Sequence, residues 1–291
     1  MRFDYYEPTT IRECLEILTH YGPEAHLLAG GTDLVVKIRH RIMRPRAVIS
    51  LGSLKELRKM ERKRDGSLEI GAMRTLREIE RSDALQSDFD LIRQGAGCVS
   101  SVQVRNVATL GGNSCNASPS ADTVPGLIAA GAKARMIGRE GERLLALEEF
   151  FVGPGKTVLQ IGEILAGFQI PPLPPMTGGV YKKYAIRAEV DLAIVGVAAR
   201  LTLDESRHIK QARIVLGAVA PTPWRARRAE KMLFGQYPTD ELFMESARAA
   251  AEDSRPISDQ RASMPYRREI TRIWTRSALK EAFQRACGIG N

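Results

Sequence analysis

Two glycine pairs constrain this chain more than any other feature. The first is Ala29-Gly30-Gly31-Thr32-Asp33 and the second Thr109-Leu110-Gly111-Gly112-Asn113. Adjacent glycines let backbone N–H groups approach an anion with no Cβ in the way. A helix N-terminus adds further donors and the positive end of its dipole. The first pair closes the short apolar run Ala25–Leu28 and precedes Leu34, Val35 and Ile38, which recur at helical spacing. Thr32 or Asp33 can cap that helix. The segment has neither the G-x-G-x-x-G spacing nor a following G-K-[ST]. A phosphate-bearing ligand held here therefore implies a fold other than the Rossmann type; the alternative is a plain strand–helix turn.

The second pair lies in a longer polar stretch, Arg105-Asn106-Val107-Ala108-Thr109-Leu110-Gly111-Gly112-Asn113-Ser114-Cys115-Asn116-Ala117-Ser118-Pro119-Ser120-Ala121-Asp122. Small polar groups dominate it, as in segments that wrap a ligand or cross a domain surface. Gly111 and Gly112 can present backbone donors. Asn113, Asn116, Ser118 and Ser120 can pair with phosphate or ribose oxygens. Asp122 suits a ribose diol or an adenine amine, or else caps the next helix. Two such segments in one half of a chain suggest one ligand gripped at two places.

The flanking patterns outline three units. Residues 1–55 alternate helix (from Ile11), strand (25–28), glycine turn, helix and strand (47–51). Residues 56–175 begin with a strand at 68–72. Thr75 and Glu78 then have capping-box spacing, and a helix is expected at 89–97. An apolar helix follows at 122–130, then a period-two strand at 132–138 and further strands at 157–159 and 163–168. Pro171-Pro172-Leu173-Pro174-Pro175 breaks the pattern, since proline neither donates to a ladder nor tolerates helical neighbours. Residues 176–291 show strands first, at 181–185, 192–203 (one strand or a hairpin) and 213–219. Helices follow at 225–233, 239–251 and 266–283.

Composition removes other classes. The 291 residues are 44% hydrophobic, enough for one large core or several small ones. Lys and Arg number 43 against 34 Asp and Glu, yet the positive charge reads as diffuse. The basic stretches 58–64 and 225–231 are interrupted by Glu61 and Glu230. Nucleic-acid binding is not expected; a pyrophosphate groove or an acidic partner uses such charge equally well. Cys14, Cys98, Cys115 and Cys287 form no C-x-x-C pair and fit neither zinc nor an iron–sulfur cluster. No apolar run approaches the roughly 20 residues of a membrane span, and the N-terminus has no signal-peptide core. A cytoplasmic setting is expected.

Taken in order, these motifs resemble the FAD-binding, or medium, subunits of the molybdenum hydroxylases, the group of xanthine dehydrogenases, carbon monoxide dehydrogenase and 4-hydroxybenzoyl-CoA reductase. Four stretches carry the resemblance: 29–34, 105–113, 118–122 and Asp191-Leu192-Ala193-Ile194-Val195-Gly196-Val197-Ala198-Ala199. The start Phe3-Asp4-Tyr5-Tyr6-Glu7-Pro8 and the end from Tyr266-Arg267-Arg268 match too. The resemblance implies an α+β chain with a two-lobed FAD-binding domain of the vanillyl-alcohol-oxidase-like type. A C-terminal α+β domain, sheet followed by helices, completes it. It implies that Ala29, Gly30, Gly31, Thr32, Asp33 and Leu34, with Thr109, Gly111, Gly112 and Asn113, contact the FAD pyrophosphate. Ser118 and Asp122 would reach toward ribose and adenine, and Val102 and Arg105 would lie along the cofactor. In the cationic segment from Tyr181 to Asp191, Lys182 or Lys183 would approach the isoalloxazine, unless they only line a strand edge.

The resemblance also sets the role. A large molybdopterin-binding subunit would oxidise substrate and a small 2Fe-2S subunit would relay the electrons. This chain would pass them from FAD to NAD, a quinone or oxygen, within a dimer of heterotrimers. No catalytic acid or base and no metal ligand is expected here. The extra cluster of the 4-hydroxybenzoyl-CoA reductase type is absent from the expectation, because only Cys115 lies in the relevant stretch. His20, His26, His40 and His208 all lie outside the glycine motifs, so FAD is expected to be noncovalent. The alternatives are a free-standing FAD-dependent oxidoreductase, against which the short helix-rich C-terminal part counts, and a non-redox module reusing the fold.

Overall fold

Short apolar runs punctuated by glycine build the first unit. The computed structural model describes residues 2–87, 89–187 and 189–289, so Ala188 of the cationic segment lies outside the described residues. Strand β1 (Asp4–Tyr6), helix α1 (Ile11–Tyr21), β2 (Ala25–Leu28), α2 (Leu34–Arg39) and β3 (Ala47–Ser50) follow in turn. The three strands form a parallel sheet in the order β1-β3-β2. Thr10 caps α1 through the Glu13 amide, and Cys14, Leu15 and Leu18 are its buried face. Helix α2 differs, because none of its residues is buried.

The second unit is an antiparallel sheet with helices packed on it. It comprises β4 (Met60–Arg62), β5 (Leu68–Gly71), α3 (Leu76–Glu80), α4 (Asp90–Gly97), α5 (Val102–Arg105), α6 (Leu110–Cys115) and α7 (Thr123–Ala130). Then come β6 (Lys133–Gly138), β7 (Gly141–Ala146), β8 (Phe151–Gly153), β9 (Lys156–Thr157) and β10 (Ile164–Ile170). Five strands line up as β4-β5-β10-β6-β7. The Thr75–Glu78 capping box forms as its spacing predicts. Three readings change. The strand expected at 157–159 stops at Thr157. The second glycine pair lies inside α6, capped by Thr109, and not in a loop. Strands β4, β7 and β8 go unread, because their charged or short stretches carry no clean apolar alternation.

The third unit has β11 (Thr177–Tyr184), β12 (Val195–Leu203), β13 (Ile209–Gly217) and the two-residue β14 (Trp224–Arg225). Helices α8 (Arg227–Leu233), α9 (Asp240–Asp253) and α10 (Met264–Ala286) follow. The sheet is antiparallel in chain order, and β12 is one strand, not a hairpin. All nine residues of β12 are buried, because both faces of this sheet are covered. Successive side chains point to opposite faces. Tyr181, Ala198 and Val215, aligned across three strands, join the core of the second unit. Val180, Ala199 and Ile214, one residue out of phase, join the core formed with α8, α9 and α10.

Gly178 is where α10 meets that sheet. A Cβ there would stand 2.2 Å from the Ala282 carbonyl oxygen and 2.3 Å from the Ala286 nitrogen. Gly178→Val is expected to force the helix off the strand and to cost about 1–3 kcal/mol or more, as overpacking does. Chemical denaturation measures the loss, and an unchanged midpoint would contradict this packing.

Candidate functional site

The C-terminal end of β2, the N-terminal end of α6 and residues 190–192 ahead of β12 converge on one cleft. Its volume is about 880 Å³, near the top of the usual range of about 300–1,000 Å³ for small-molecule sites. Both glycine motifs line it. From the expected residues it brings together Ala29, Gly30, Gly31, Thr32, Asp33, Leu34, Thr109, Gly112, Asn113, Ser118 and Asp122.

The first glycine turn supplies free donors. Among the described residues, the N–H groups of Gly30, Gly31, Thr32, Asp33 and Leu34 have no protein acceptor. Gly31 sits at φ +74°, a left-handed conformation that favours glycine. Gly30 packs directly against the second motif, since a Cβ on it would stand 2.0 Å from the Val107 carbonyl oxygen. Neither Thr32 nor Asp33 caps α2 through its side chain. Instead, Asp33 accepts from the Asn116 amide (3.1 Å), whose carbonyl oxygen accepts from Lys37 Nζ (2.8 Å). This chain of contacts ties the two motifs together. A run of unpaired amides at a helix start is an anion cradle.

The second motif works differently from its expected role. The Gly111 amide donates to the Ala72 carbonyl (2.8 Å), and the Gly112 amide donates to Thr109 Oγ1 (3.0 Å). Neither is free for a ligand. Gly111 does not line the cleft but packs on Ala72, where a Cβ would stand 2.5 Å from the alanine Cβ. Asn113 Oδ1 accepts from Thr123 and Asn116 bonds both Lys37 and Asp33, so these side chains hold the wall together first. What Gly112 contributes is a surface without a side chain.

Asp122 stands at the N-cap position of α7, but its side chain makes no capping bond. It is buried, and its carboxylate accepts from Tyr181 Oη (2.7 Å) and Lys183 Nζ (2.9 Å). Burial pushes the carboxyl above its ordinary range, against the pull of Lys183 and Tyr181. Lys183 also donates to the carbonyls of Cys98 (2.9 Å) and Asp191 (2.7 Å). This direct ion pair means that Asp122 and Lys183 cannot mark opposite ends of an extended ligand. Lys182 points to the other face of β11, as the pleat demands, where it bonds Ser277 (3.0 Å) and Glu281 (2.9 Å) of α10. Val102 is exposed and away from the cleft. Arg105 is buried beside Glu80 (3.0 Å), and its guanidinium donates to the Val99 and Ser100 carbonyls (3.1 Å each). It holds a turn of the cleft wall without lining the cleft.

Known proteins match this arrangement end to end. Residues 1–173 fit the family described as the FAD binding domain in molybdopterin dehydrogenase. Residues 180–282 fit the CO dehydrogenase flavoprotein C-terminal domain. The chain belongs to this family. A xanthine dehydrogenase FAD-binding subunit of Escherichia coli O157:H7 is 32% identical over 285 residues, covering 98% of this chain and 97% of that one. The carbon monoxide dehydrogenase medium chain of Afipia carboxidovorans is 32% identical and covers 98% of each. Among solved structures, reconstituted CO dehydrogenase from Oligotropha carboxidovorans contains a chain superposing with a TM-score of 0.93 at 29% identity, over 98% of this chain and 99% of that one.

For a member of this family the cleft fits FAD. The unpaired amides at 30–34 suit a pyrophosphate, and the volume admits a dinucleotide. Sequence reasoning missed several lining residues, among them His26, Lys37 and Arg261, whereas Arg187 lies in the cationic segment it singled out. Lys37 was findable, because it lies one helical turn beyond Asp33. Arg261 was not, because no local pattern links it to residues so far away in the chain.

The Asp122–Lys183 pair gives a sharp test. Their side chains are 6% and 10% exposed. Asp122→Ala would strand the ammonium and is expected to cost about 3–5 kcal/mol. Asp122→Ala with Lys183→Met should cost clearly less than the sum of the single changes. A double-mutant cycle in urea measures this, and strict additivity would contradict the pair.

Proposed function

We propose that the cleft holds FAD noncovalently, with its pyrophosphate against the free amides of the first glycine turn. Those amides, at the junction of both motifs, are the observation that carries the reading. The chain is the FAD-binding electron-transfer subunit of a heteromeric molybdenum hydroxylase. Bound FAD supplies chemistry that accepts and releases electrons singly or in pairs. The chain's own groups bind, orient and shield it. The glycine turn carries the anion, and the Lys37–Asn116–Asp33 contacts fix the spacing of the two motifs. Arg105 and Asp122 keep the wall in register.

The finer assignments belong to the same proposal. The lobes 1–55 and 56–175 form an FAD-binding domain of the vanillyl-alcohol-oxidase-like type, and 176–291 forms the C-terminal domain. Substrate oxidation takes place in a large molybdopterin-binding partner. Electrons arrive through a small 2Fe-2S subunit and leave to NAD or a quinone, in a dimer of heterotrimers. The names of two relatives, an FAD-binding subunit and a medium chain, support the multi-subunit assembly.

Two measurements test the cofactor. Gly31→Val places a β-branched residue at positive φ and should abolish visible flavin absorbance while circular dichroism stays native. Full flavin retention would refute the cradle. His26 lines the cleft, so its distance in sequence from the glycine motifs is no argument against covalent attachment. The noncovalent reading instead predicts that acid denaturation releases all the flavin into the supernatant. Colour remaining on the precipitated chain would overturn it.

A further inference from the structure

Helix α2 is out of place on a water-exposed surface. It carries Leu34, Val35, Val36 and Ile38, yet buries none of its residues. Val35 is 53% exposed, Val36 49%, and Ile42 just beyond the helix 76%. A helix apolar on several faces is ordinarily covered, and an exposed apolar patch marks an interaction surface. The same segment corrects the reading that the positive charge is diffuse. Lys37, Arg39, Arg41, Arg44 and Arg46 fall within ten residues, and no acidic residue occurs between Asp33 and Glu56. Arg46 pairs with Glu24 at 2.9 Å. Among the described residues, Arg39, Arg41 and Arg44 have no ion-pair partner, and all three are exposed.

We propose that residues 35–44 form the docking surface for the electron-donating iron–sulfur partner, which presents an acidic face with an apolar centre. This inference rests on the reading of the chain as a flavin subunit. The basic rim and apolar middle have the make-up of a protein interface, with charge steering the encounter and apolar contacts holding it. Position selects the donor over the molybdopterin-binding subunit. Leu34, Lys37 and Met43, inside or beside the patch, line the cleft. A protein covering α2 therefore stands at the wall of the cofactor site. Electron transfer weakens steeply with distance, so the partner that delivers electrons belongs at that wall.

Coexpression of this chain with both partner subunits tests the surface. Arg39→Glu with Arg41→Glu reverses charge without touching the cleft, and Val36→Glu with Ile42→Glu breaks the apolar centre. Each pair is expected to weaken retention of the iron–sulfur subunit at least tenfold in native mass spectrometry, with flavin content unchanged. Flavin reduction by the complex's substrate should fall in step. Lys210→Glu with Arg248→Glu, an equal charge change on exposed cations of the third unit, should leave assembly intact. Undiminished assembly of the Arg39/Arg41 variant overturns the proposal, as does selective loss of the molybdopterin subunit. A wild-type chain that assembles but carries no flavin would instead defeat the cofactor reading, leaving the docking surface standing.

Discussion

The structure turns on one buried helix held at both ends. Every residue of α7 is buried. At its N-terminal end Asp122 is gripped by Tyr181 and Lys183 of β11. At its C-terminal end Arg213 donates to the Ile128 carbonyl (3.1 Å) and Arg200 to the Ala130 carbonyl (3.2 Å). Helix termini leave their last carbonyls unsatisfied, and inside a protein those groups must find partners. Here the C-terminal sheet provides them. A carboxylate before the helix and guanidiniums after it also match the sign of the helix dipole at each end. Burial and the neighbouring Arg213 and Arg225 pull the Arg200 guanidinium down to about 10. A cation is kept in so unfavourable a place because the helix end needs it.

This clamp explains how the cleft can lie between distant parts of the chain. Tyr181, Lys183, Ala198, Arg200, Arg213 and Val215 all occupy one face of the sheet, by the period of the pleat. That face is fixed against α7, and α7 directly follows the segment bearing Ser118, Ser120 and Asp122. The sheet therefore cannot move without moving one wall of the cleft. The other wall, the first glycine turn, is fixed by Gly30 against Val107 and by Asn116 against Asp33 and Lys37.

Local pattern revealed most elements and the lining of half the cleft. The capping box at Thr75, the apolar run of α7 after Thr123 and the Gly30-Gly31 turn announce themselves because their signals lie within a few residues. Other features failed for one shared reason. Whether the Gly111 amide is free depends on Ala72, whether Asp122 is available depends on β11, and whether Lys182 or Lys183 meets Asp122 depends on strand phase; neither lysine lines the cleft. Each is decided by a partner distant in sequence. Two adjacent glycines look alike whether they bare donors or let two backbones touch: the first pair does both, with Gly30 also packed on Val107, whereas Gly111 serves only close approach to Ala72. The family resemblance carried the role of the chain further than these residues alone could.

The division of labour between the glycine pairs has a consequence for charge. An anion at 30–34 would meet neutral amides, and the cation nearest in sequence, Lys37, already bonds Asn116. Arg187 and Arg261 line the cleft from the third unit, but each has a carboxylate neighbour, Asp191 and Asp259. On the proposed placement the site would meet negative charge chiefly with oriented dipoles, which keep their direction whether or not a ligand is present and leave no unpaired buried cation without one. Arg39, Arg41 and Arg44, with no ion-pair partner among the described residues, lie outside the cleft on and beside α2, where water solvates them. Under the proposed assignments, fixed dipoles inside and exposed charges outside would let one small segment of chain face a cofactor on one side and a protein on the other, without either task weakening the other.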